Sequence, residues 1–426
     1  MNAFDALQER GFIYQSTDSE RLRARLGEGP VTFYVGFDPT ADSLHIGHLL
    51  PVMAMRWLQK CGHRPIALVG GGTGMVGDPS GKTEARQLLT VEAVDANVRA
   101  LQGQLARFLD FGEGRAELVN NADWLRDLRY IDFLRDIGRH FSVNQMLQAE
   151  SVKQRLESGL SFLEFNYLLL QAYDFYILRR DRGCELQCGG QDQWGNIVAG
   201  TGLIRRLLGR EAHALTFPLL LKGDGQKFGK TAAGAVWLDP ERTSPYAYYQ
   251  FWRNADDADL RRLLAFFTEL PMAEVERLAA AESAAGRNRA KEILAFEAAR
   301  LAHGAAAAEK AYLAAGAEFG FADPEGKIET SSALRAIRPD EAAAELPTFT
   351  VPAAELAAGI PAFKLFADCG LCASGGEARR LIKGGGASIN GEKVADERRL
   401  VTAADLRDGA IVLKAGKKNL RRIVCG

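Results

Sequence analysis

The sequence predicts an α/β fold in which a parallel β-sheet with helices on both faces precedes a helical region and a small basic C-terminal module. In the first half of the chain, five short apolar segments alternate with longer helical patterns, an alternation typical of a parallel sheet. From about residue 245 the pattern becomes helical and rich in alanine. The final segment is basic, whereas the rest of the chain is acidic.

The strands and helices of the first half follow from their apolar patterns. The segments predicted as strands are residues 31–35, 64–70, 116–120, 185–190 and 215–221. Helical patterns lie near residues 45–61, 90–111, 164–181 and 194–208. Ligands bind sheets of this kind at the carboxyl ends of the strands, so we expect functional residues just after the first strand, in residues 36–48.

Charge is distributed unevenly along the 426 residues, although the net charge is only −1. Residues 361–426 contain 13 Lys and Arg against 7 Asp and Glu, a net of +6. This leaves 40 basic and 47 acidic residues, a net of −7, in residues 1–360. A basic tail on an acidic body indicates that the tail binds a polyanion.

The composition, with 47% hydrophobic and 25% charged residues, is that of an ordinary soluble protein. We recognise no signal peptide and no membrane-spanning run, and therefore expect a cytoplasmic protein without membrane association. The six scattered cysteines suit a reducing compartment. Cys369 and Cys372 form a C-x-x-C without a second correctly spaced pair, so we expect buried thiols rather than a zinc site.

Two histidines follow the first strand, in His45-Ile46-Gly47-His48, where a helical pattern begins. Asp42 and Ser43 are typical N-cap residues, and we expect them to cap this helix. Side chains three residues apart share a face of a helix. Imidazole donors beside free backbone N–H groups therefore predict a site for a phosphate chain.

A second motif, Lys227-Phe228-Gly229-Lys230-Thr231, lies in a polar loop after the last predicted strand. Two ammonium groups on a mobile loop could close over a triphosphate and offset charge in a transition state. A solvated basic loop is the alternative, and the two-histidine motif favours the phosphate clamp. The glycine-rich residues 70–83 do not match a P-loop, because position 76 is Val where the pattern requires glycine.

Tyr167, Gln171 and Asp174 form a polar stripe on an otherwise apolar helical segment. Their spacing of four and three residues places them on one face. Buried polar groups need partners, which either a bound polar ligand or neighbouring helices could supply. Asp192, between a predicted strand and a helix, fits equally well as an N-cap and as a ligand for a ribose hydroxyl.

The histidine motif, the lysine motif, the glycine-rich residues 69–82 and residues 189–196, in this order, closely resemble the bacterial tyrosyl-tRNA synthetases of class I. The resemblance extends over essentially the whole chain, and its C-terminal part is similar to an RNA-binding module of a ribosomal protein. Together with the helical pattern from about residue 245 and the basic final segment, the resemblance implies five regions. These are a Rossmann-like catalytic domain (1–220), a mobile lysine loop and connection (221–244), an α-helical anticodon-binding domain (245–320), a linker (321–358) and a basic α+β RNA-binding module (359–426).

The resemblance also implies residue roles. Tyr34 and Asp174 would meet the phenolic hydroxyl of tyrosine, and its ammonium group would contact Asp78, Tyr167 and Gln171. The implied ATP-binding residues are Gly36, Asp38, Thr40, His45, Gly47, His48, Gly190, Asp192, Lys227, Lys230 and Thr231. Among them Thr40, His45, His48, Lys227 and Lys230 would be catalytic, with Lys82 and Arg86 supporting the pyrophosphate. The candidate RNA-binding residues are Arg379, Arg380, Lys383, Lys417 and Lys418.

The implied reaction activates L-tyrosine with ATP and then transfers it to the 3′-terminal ribose of tRNA(Tyr). We expect Mg²⁺ to accompany ATP, no tightly bound metal, and a homodimer. The alternatives are a tryptophanyl-tRNA synthetase, another nucleotidyltransferase with the same histidine motif, and a non-catalytic RNA-binding protein. Asp174 suits a phenol better than an indole, the basic tail suits an RNA, and an inert scaffold would be expected to have lost the histidines and lysines.

Overall fold

The computed structural model describes residues 2–80, 89–156, 159–221, 228–231, 234–337, 348–407, 409–416 and 419–426. Five residues with predicted roles, Lys82, Arg86, Lys227, Lys417 and Lys418, lie outside these ranges.

The first half of the chain forms a six-stranded sheet in the order β1-β6-β5-β2-β3-β4. The strands are β1 (Gln15–Ser16), β2 (Thr32–Phe37), β3 (Arg64–Val69), β4 (Glu117–Asn120), β5 (Leu186–Gly190) and β6 (His213–Phe217). All pairings are parallel except that of β1 with β6. The five predicted strands are therefore present. The two-residue β1 was not predicted, because so short a segment carries no periodicity.

The order of the strands places a crevice beside β2. The chain runs from β2 outwards through β3 to β4, and then returns to β5 on the other side of β2. Connections therefore leave the carboxyl ends of β2 and β5 in opposite directions, which opens the sheet between them.

Eleven helices accompany this sheet in the described part of the chain. They are α1 (Ala3–Arg10), α2 (Ser19–Glu28), α3 (Ile46–Lys60), α4 (Val91–Leu105), α5 (Ala122–Leu125), α6 (Tyr130–Asp136), α7 (Val143–Met146), α8 (Glu150–Leu156), α9 (Phe162–Phe165), α10 (Tyr167–Arg182) and α11 (Trp194–Leu208). Alternate residues of β2 face opposite layers: Phe33 and Val35 share a core with α3 and α4, whereas Tyr34 packs with α10 and α11. Helices therefore cover both faces, which explains why the strands are apolar on both sides.

The helical region that follows is joined to the sheet by one continuous core. After the hairpin β7 (Lys230–Thr231) and β8 (Gly234–Ala235) come α12 (Pro245–Arg253), α13 (Leu260–Phe267), α14 (Met272–Ala279), α15 (Ala284–His303) and α16 (Ala305–Phe319). The Phe12 ring contacts Phe217 of β6 and Phe266 of α13, at centroid distances of 6.4 and 4.9 Å. Arg10 donates hydrogen bonds to the carbonyls of Ala265, Thr268 and Leu270 at the end of α13. The helical region therefore packs directly on the domain that contains the six-stranded sheet.

Both ends of the predicted linker, residues 321–358, belong to folded regions. At its start, Asp323 accepts hydrogen bonds from the backbone of Lys327 and Ile328, and Leu334 is buried in the core of the helical region. At its end, β9 (Thr348–Val351) pairs in parallel with the last strand of the chain. Proline and charge suggested a linker, but they do not exclude a short strand that completes a distant sheet.

The C-terminal module has its own core and an α+β fold. Its elements after β9 are α17 (Ala353–Ala358), β10 (Ile360–Pro361), α18 (Ala362–Asp368), α19 (Gly375–Lys383), β11 (Ala387–Ile389), β12 (Glu392–Lys393), β13 (Leu400–Val401), β14 (Ala410–Ala415) and β15 (Asn419–Cys425). Five strands form a sheet in the order β12-β11-β14-β15-β9, beside the two-stranded pair β10-β13. The core contains Phe366, Ile382 and Ile411. No helix within the described ranges is long and apolar enough to cross a membrane.

Candidate active site

The predicted residues meet in one cavity of about 500 Å³ at the carboxyl ends of β2 and β5. Its lining includes thirteen of them, namely Tyr34, Gly36, Asp38, Thr40, His45, Gly47, His48, Asp78, Tyr167, Gln171, Asp174, Gly190 and Asp192. A larger cavity of about 660 Å³, bordered by α7 and α11, contains none of them. The chemistry therefore points to the smaller cavity, which lies where the strand order reverses.

The two histidines cap the helix that carries them. The Gly47 N–H donates to Nδ1 of His45 at 3.0 Å, and the His45 N–H donates to Nδ1 of His48 at 3.2 Å. The helix begins at Ile46 with His45 as its N-cap. The prediction that Asp42 and Ser43 cap this helix is therefore wrong, because an imidazole at the N-cap and another at the third helical position satisfy the backbone donors reciprocally.

This capping also determines what the rings can offer a ligand. Since each Nδ1 accepts a hydrogen bond, the proton of each neutral imidazole is on Nε2. The two rings are stacked, with centroids 4.0 Å apart, and both line the cavity. His45 and His48 are thus oriented as Nε2–H donors, which is the chemistry that phosphate oxygens require.

The most buried part of the cavity contains Asp174 and the hydroxyl of Tyr34. Asp174 accepts hydrogen bonds from Nδ2 of Asn121 at 2.9 Å and from Nε1 of Trp124 at 2.8 Å. Burial raises the pKa of Asp174 to about 7, although these two donors act in the opposite direction. The Tyr34 hydroxyl is buried without a hydrogen-bond partner among the described residues. Buried hydroxyls are normally paired, so a ligand hydroxyl would complete this site.

A second polar group of residues surrounds Asp78. Its carboxylate accepts hydrogen bonds from the Ser80 N–H at 2.9 Å and from Nε2 of Gln193 at 2.7 Å. The pKa of Asp78 is raised to about 6, mainly by burial and also by the negative charge of Asp38. Tyr167 donates its hydroxyl to Asp38 at 3.3 Å. These carboxylates, with Asp174, give the cavity a negative potential that favours a cationic ligand group.

The resemblance described above implies that this cavity binds tyrosine, and we expect that binding to weaken as the pH falls through about 6. Without a ligand, the raised pKa of Asp78 means that its carboxyl group loses its proton only when the pH rises to about 6. An ammonium group favours the ionised carboxylate, so its binding releases a proton, and Asp78 alone should raise the apparent Kd about tenfold for each pH unit below 6. Asp174, whose pKa is raised to about 7, should add to this dependence, because it accepts a hydrogen bond from the phenol in its ionised form. Equilibrium dialysis with labelled tyrosine between pH 5 and 8 measures this dependence. An affinity that stays constant from pH 8 to pH 5 would contradict the assignment, and Asp78→Asn should bind weakly at every pH.

The cavity is also lined by Gly190, the last residue of β5, and by Asp192, two residues further on. Helix α11 begins at Trp194 with Gln193 as its N-cap, so Asp192 is not the cap residue. A Cβ atom on Gly190 would lie 2.5 Å from Oδ1 of Asp192, so a larger residue there would displace this carboxylate. The N-cap interpretation of Asp192 is therefore wrong, and its role as a ligand for a ribose hydroxyl stays a prediction.

The lysine motif is attached directly to the start of α3. The Ile46 N–H donates to the Val236 carbonyl, and the Leu238 N–H donates to the Leu44 carbonyl. The Val236 N–H in turn donates to the carbonyl of Gly229. Gly229 has a φ of +87°, and a Cβ atom there would lie 3.2 Å from Ile46, so glycine is required. The backbone of Lys230 lies in β7, next to this contact.

Sequence reasoning missed several polar residues of the cavity and its immediate surroundings. These are Thr73, Asn121, Trp124, Gln187, Gln193 and Asn196. Asn121 and Trp124 follow β4, which pairs with β3. The sequence could have indicated them only as polar residues that come directly after a predicted strand. Gln187 has an Oε1 without a partner among the described residues, although it is 2% exposed.

A metal site is not built into the described part of the chain, where no group of three or more His, Cys, Asp or Glu side chains is placed to hold an ion. The thiols of Cys369 and Cys372 are free and buried.

Comparison with known proteins identifies the family. The model for class I tRNA synthetases (W and Y) matches residues 26–320. The tyrosine–tRNA ligase of Desulfosudis oleivorans is 56% identical over 100% of this chain and 99% of its own length. The chain belongs to the tyrosine–tRNA ligase family. A model of the C-terminal domain of tyrosine–tRNA ligases also matches residues 340–423, and the tyrosine–tRNA ligase of Clostridium beijerinckii is 51% identical over 99% of each chain.

Solved structures agree with this membership of the tyrosine–tRNA ligase family. A C-terminally truncated mitochondrial tyrosyl-tRNA synthetase from Aspergillus nidulans is 32% identical, with a TM-score of 0.66 over 73% of this chain and 92% of that one. The tyrosyl-tRNA synthetase of Archaeoglobus fulgidus, complexed with L-tyrosine, shares the fold at 19% identity and a TM-score of 0.56, over 73% of this chain and 99% of that one. The family and the fold class predicted from sequence are confirmed, and the tryptophanyl alternative is not favoured.

Proposed function

We propose that this member of the tyrosine–tRNA ligase family activates tyrosine with ATP in the cavity between β2 and β5. The observation that carries this assignment is that the buried Tyr34 hydroxyl, which has no hydrogen-bond partner among the described residues, lines the same cavity as the buried Asp174. The Nε2–H donors of His45 and His48 line that cavity too. One end of the cavity thus suits a phenol, and another suits a phosphate chain. A tyrosine and an ATP molecule together match both ends.

The amino acid end selects and orients tyrosine. Asp174 accepts a hydrogen bond from the phenolic hydroxyl, and Tyr34 donates a hydrogen bond from its own hydroxyl to the phenolic oxygen. Asp78, Tyr167 and Gln171 hold the ammonium group. Asn196 donates to Oε1 of Gln171 at 3.1 Å, which directs the amide of Gln171. This fixes the carboxylate of tyrosine beside the nucleotide.

The first chemical step needs no general base. A free α-carboxyl has a pKa of about 3.5 and is already an anion at neutral pH. One of its oxygens forms a bond to the α-phosphorus of ATP, the bond from that phosphorus to the bridging oxygen breaks, and pyrophosphate leaves with the electron pair. Catalysis therefore consists of positioning and of stabilising charge on the phosphates.

The phosphate end supplies that stabilisation. Thr40, His45, His48, Lys227 and Lys230 act on the phosphates, and Lys82 and Arg86 support the departing pyrophosphate. Gly36, Asp38, Gly47 and Thr231 complete the nucleotide contacts, while the Gly190 backbone and Asp192 hold the ribose. Mg²⁺ enters as the counterion of ATP.

Pyrophosphate exchange with different amino acids tests the assignment. Exchange of labelled pyrophosphate into ATP should depend on tyrosine and proceed far more slowly with tryptophan or phenylalanine. Charging of tRNA(Tyr) should then consume the adenylate. Exchange that proceeds equally well with tryptophan would overturn the proposal.

We propose that the second step uses the C-terminal module to hold tRNA(Tyr), with the helical region, residues 245–320, at the anticodon. Helix α19 buries Ala378 and Ile382 and exposes Arg379, Arg380 and Lys383. The Arg379 guanidinium lies 4.0 Å from the ring centroid of Phe363. Lys417 and Lys418, which lie outside the described residues, remain further candidates for RNA contacts.

Replacing Arg379, Arg380 and Lys383 together by alanine should raise the KM for tRNA and leave pyrophosphate exchange unchanged. Each lost phosphate contact should also reduce the slope of log K against log salt by about 1. Filter binding of tRNA at several salt concentrations measures both effects. The exposed Lys327 and Arg115, which lie outside both proposed RNA-binding regions, provide control substitutions, and an unchanged salt slope in the triple variant would contradict the RNA-binding role.

We also propose that the enzyme is a homodimer that works in the cytoplasm. Seven of the fourteen exposed large apolar side chains among the described residues fall within residues 130–163. They are Tyr130, Ile131, Val143, Leu147, Leu156, Phe162 and Leu163. Such a concentration of exposed apolar side chains is typical of a contact surface, and the family resemblance favours a second copy of the chain as its partner.

Phe162→Asp should convert the dimer to monomers at micromolar concentration, because Phe162 is 68% exposed and would have to bury a charge in the interface. Sedimentation velocity measures the change. Phe319→Asp, at a residue that is 54% exposed outside this segment, is the control and should sediment as wild type. A Phe162→Asp protein that remains dimeric would place the interface elsewhere.

A further inference from the structure

Trp237 follows the hairpin of β7 and β8, which we call the lysine hairpin, and lies beside the histidine motif. It forms an antiparallel bridge with His45, flanked on both sides by backbone hydrogen bonds between residues 44–46 and 236–238. The backbone N–H of Trp237 donates to Oγ1 of Thr243 at 3.0 Å. The half-buried indole therefore has a fixed backbone position beside the first histidine.

The indole contacts the His45 ring directly. The two ring centroids are 5.8 Å apart with an interplanar angle of 63°, an edge-on arrangement. His48 stacks on the same imidazole at 4.0 Å. With the hydrogen bond from Gly47 to Nδ1, three separate contacts determine the orientation of the His45 ring and hence the direction of its Nε2–H.

Arg242 holds the indole in turn. Its guanidinium carbon lies 4.5 Å from the ring centroid of Trp237, and its NH2 group forms an ion pair with Asp42 at 2.7 Å. Asp42 precedes the histidine motif, and Arg242 follows the lysine hairpin. The side chains of Asp42 and Arg242 are 53% and 40% exposed, and an ion pair this exposed contributes little stability by itself. Here it also holds the Arg242 guanidinium against the indole ring. We call Asp42, Trp237 and Arg242 the clasp.

We propose that Trp237, held by Arg242 and Asp42, is a positioning residue that orients His45 towards the phosphates of ATP. The clasp joins the lysine motif to the histidine motif. Residues 236–238, which follow β8, bond to the backbone on both sides of His45 and also carry the indole that orients its ring. Trp237 itself touches neither reacting group. This inference rests on the proposed role of His45 in adenylate formation.

A double-mutant cycle tests the inference. Trp237→Ala should lower kcat for pyrophosphate exchange about 10- to 100-fold, since small misplacements of a catalytic group have effects of this size. The KM for tyrosine should not change, because the tyrosine end of the cavity is built by other elements. Trp237→Phe should recover most of the rate by preserving an aromatic edge. In a His45→Ala background, Trp237→Ala should have little further effect, because the group it positions is gone.

The outcomes separate this inference from the proposed function. If His45→Ala slows exchange and Trp237→Ala slows it by the same factor in both backgrounds, Trp237 does not act through His45 and the inference fails alone. If His45→Ala does not slow exchange, both fail. The unfolding temperature and the tyrosine affinity of each variant identify a purely structural defect. A Trp237→Ala protein in which both quantities are lowered would also overturn the inference. Tyr14→Ala, at an aromatic residue that is 57% exposed, is the matched control.

Discussion

Replacing Asp174 by alanine is expected to reduce the preference of this enzyme for tyrosine over phenylalanine about 10- to 150-fold. A site built to bond a hydroxyl rejects an analogue that lacks it by about 10⁴–10⁵, a magnitude for which tyrosyl-tRNA synthetases are the standard example and which we take from them. A hydrogen bond to a charged group contributes about 1.5–3 kcal/mol. We therefore expect kcat/KM for tyrosine to fall roughly 10- to 150-fold and kcat/KM for phenylalanine to change little.

The measurement is pyrophosphate exchange with each amino acid, normalised to active sites by titration. Loss of Asp174 also leaves Asn121 and Trp124 without their acceptor, so Asp174→Asn, which keeps the side-chain volume, separates recognition from packing. Asp181→Ala is a control on the same helix, because its carboxylate is 46% exposed and paired with Arg180. Discrimination that remains at the wild-type level in Asp174→Ala would refute the assignment.

Lys230→Ala is expected to slow adenylate formation about 10²- to 10³-fold. Removal of one preorganised donor from a transition-state site has effects of this order. Lys230 follows Gly229, whose backbone packs on Ile46 at the start of α3, so the hairpin lies beside the phosphate end of the cavity. The KM for tyrosine should remain unchanged, because Tyr34, Asp78 and Asp174 lie on other elements.

Single-turnover formation of the adenylate, followed by quenched flow at saturating tyrosine, measures the rate. Lys327→Ala is the matched control, since this lysine is 76% exposed and paired with Glu325. An unchanged rate in Lys230→Ala would remove the lysine motif from the catalytic machinery. An increased KM for tyrosine would mean that the hairpin instead shapes the amino acid pocket.

Much of the catalytic domain could be predicted because its signals are local. The apolar runs of β2 and β3 are buried on both faces, and such runs identify strands of a parallel sheet without any tertiary information. The stripe of Tyr167, Gln171 and Asp174 indicated a ligand, and all three side chains line the cavity. The choice between a ligand and neighbouring helices as their partner could not be made from spacing.

Other features depend on where distant segments meet. Asn121 and Trp124 hold Asp174 because β4 ends beside α10, and nothing in either segment alone indicates that contact. The linker prediction was too long because β9 pairs with β15, at the opposite end of the C-terminal module. A four-residue strand is stabilised by its partner, so its own residues carry little signal.

The sequence by itself determined the α/β class, the strands and main helices around the six-stranded sheet, and most of the polar side chains that line the cavity. These properties follow from side-chain periodicity and side-chain chemistry, which are local. Only the tertiary structure decided that His45 caps its own helix, that the lysine hairpin is attached to that cap, and that the Tyr34 hydroxyl is buried in the same cavity as Asp174. These features arise from strand order and from the packing of segments far apart in the chain, which no local pattern encodes.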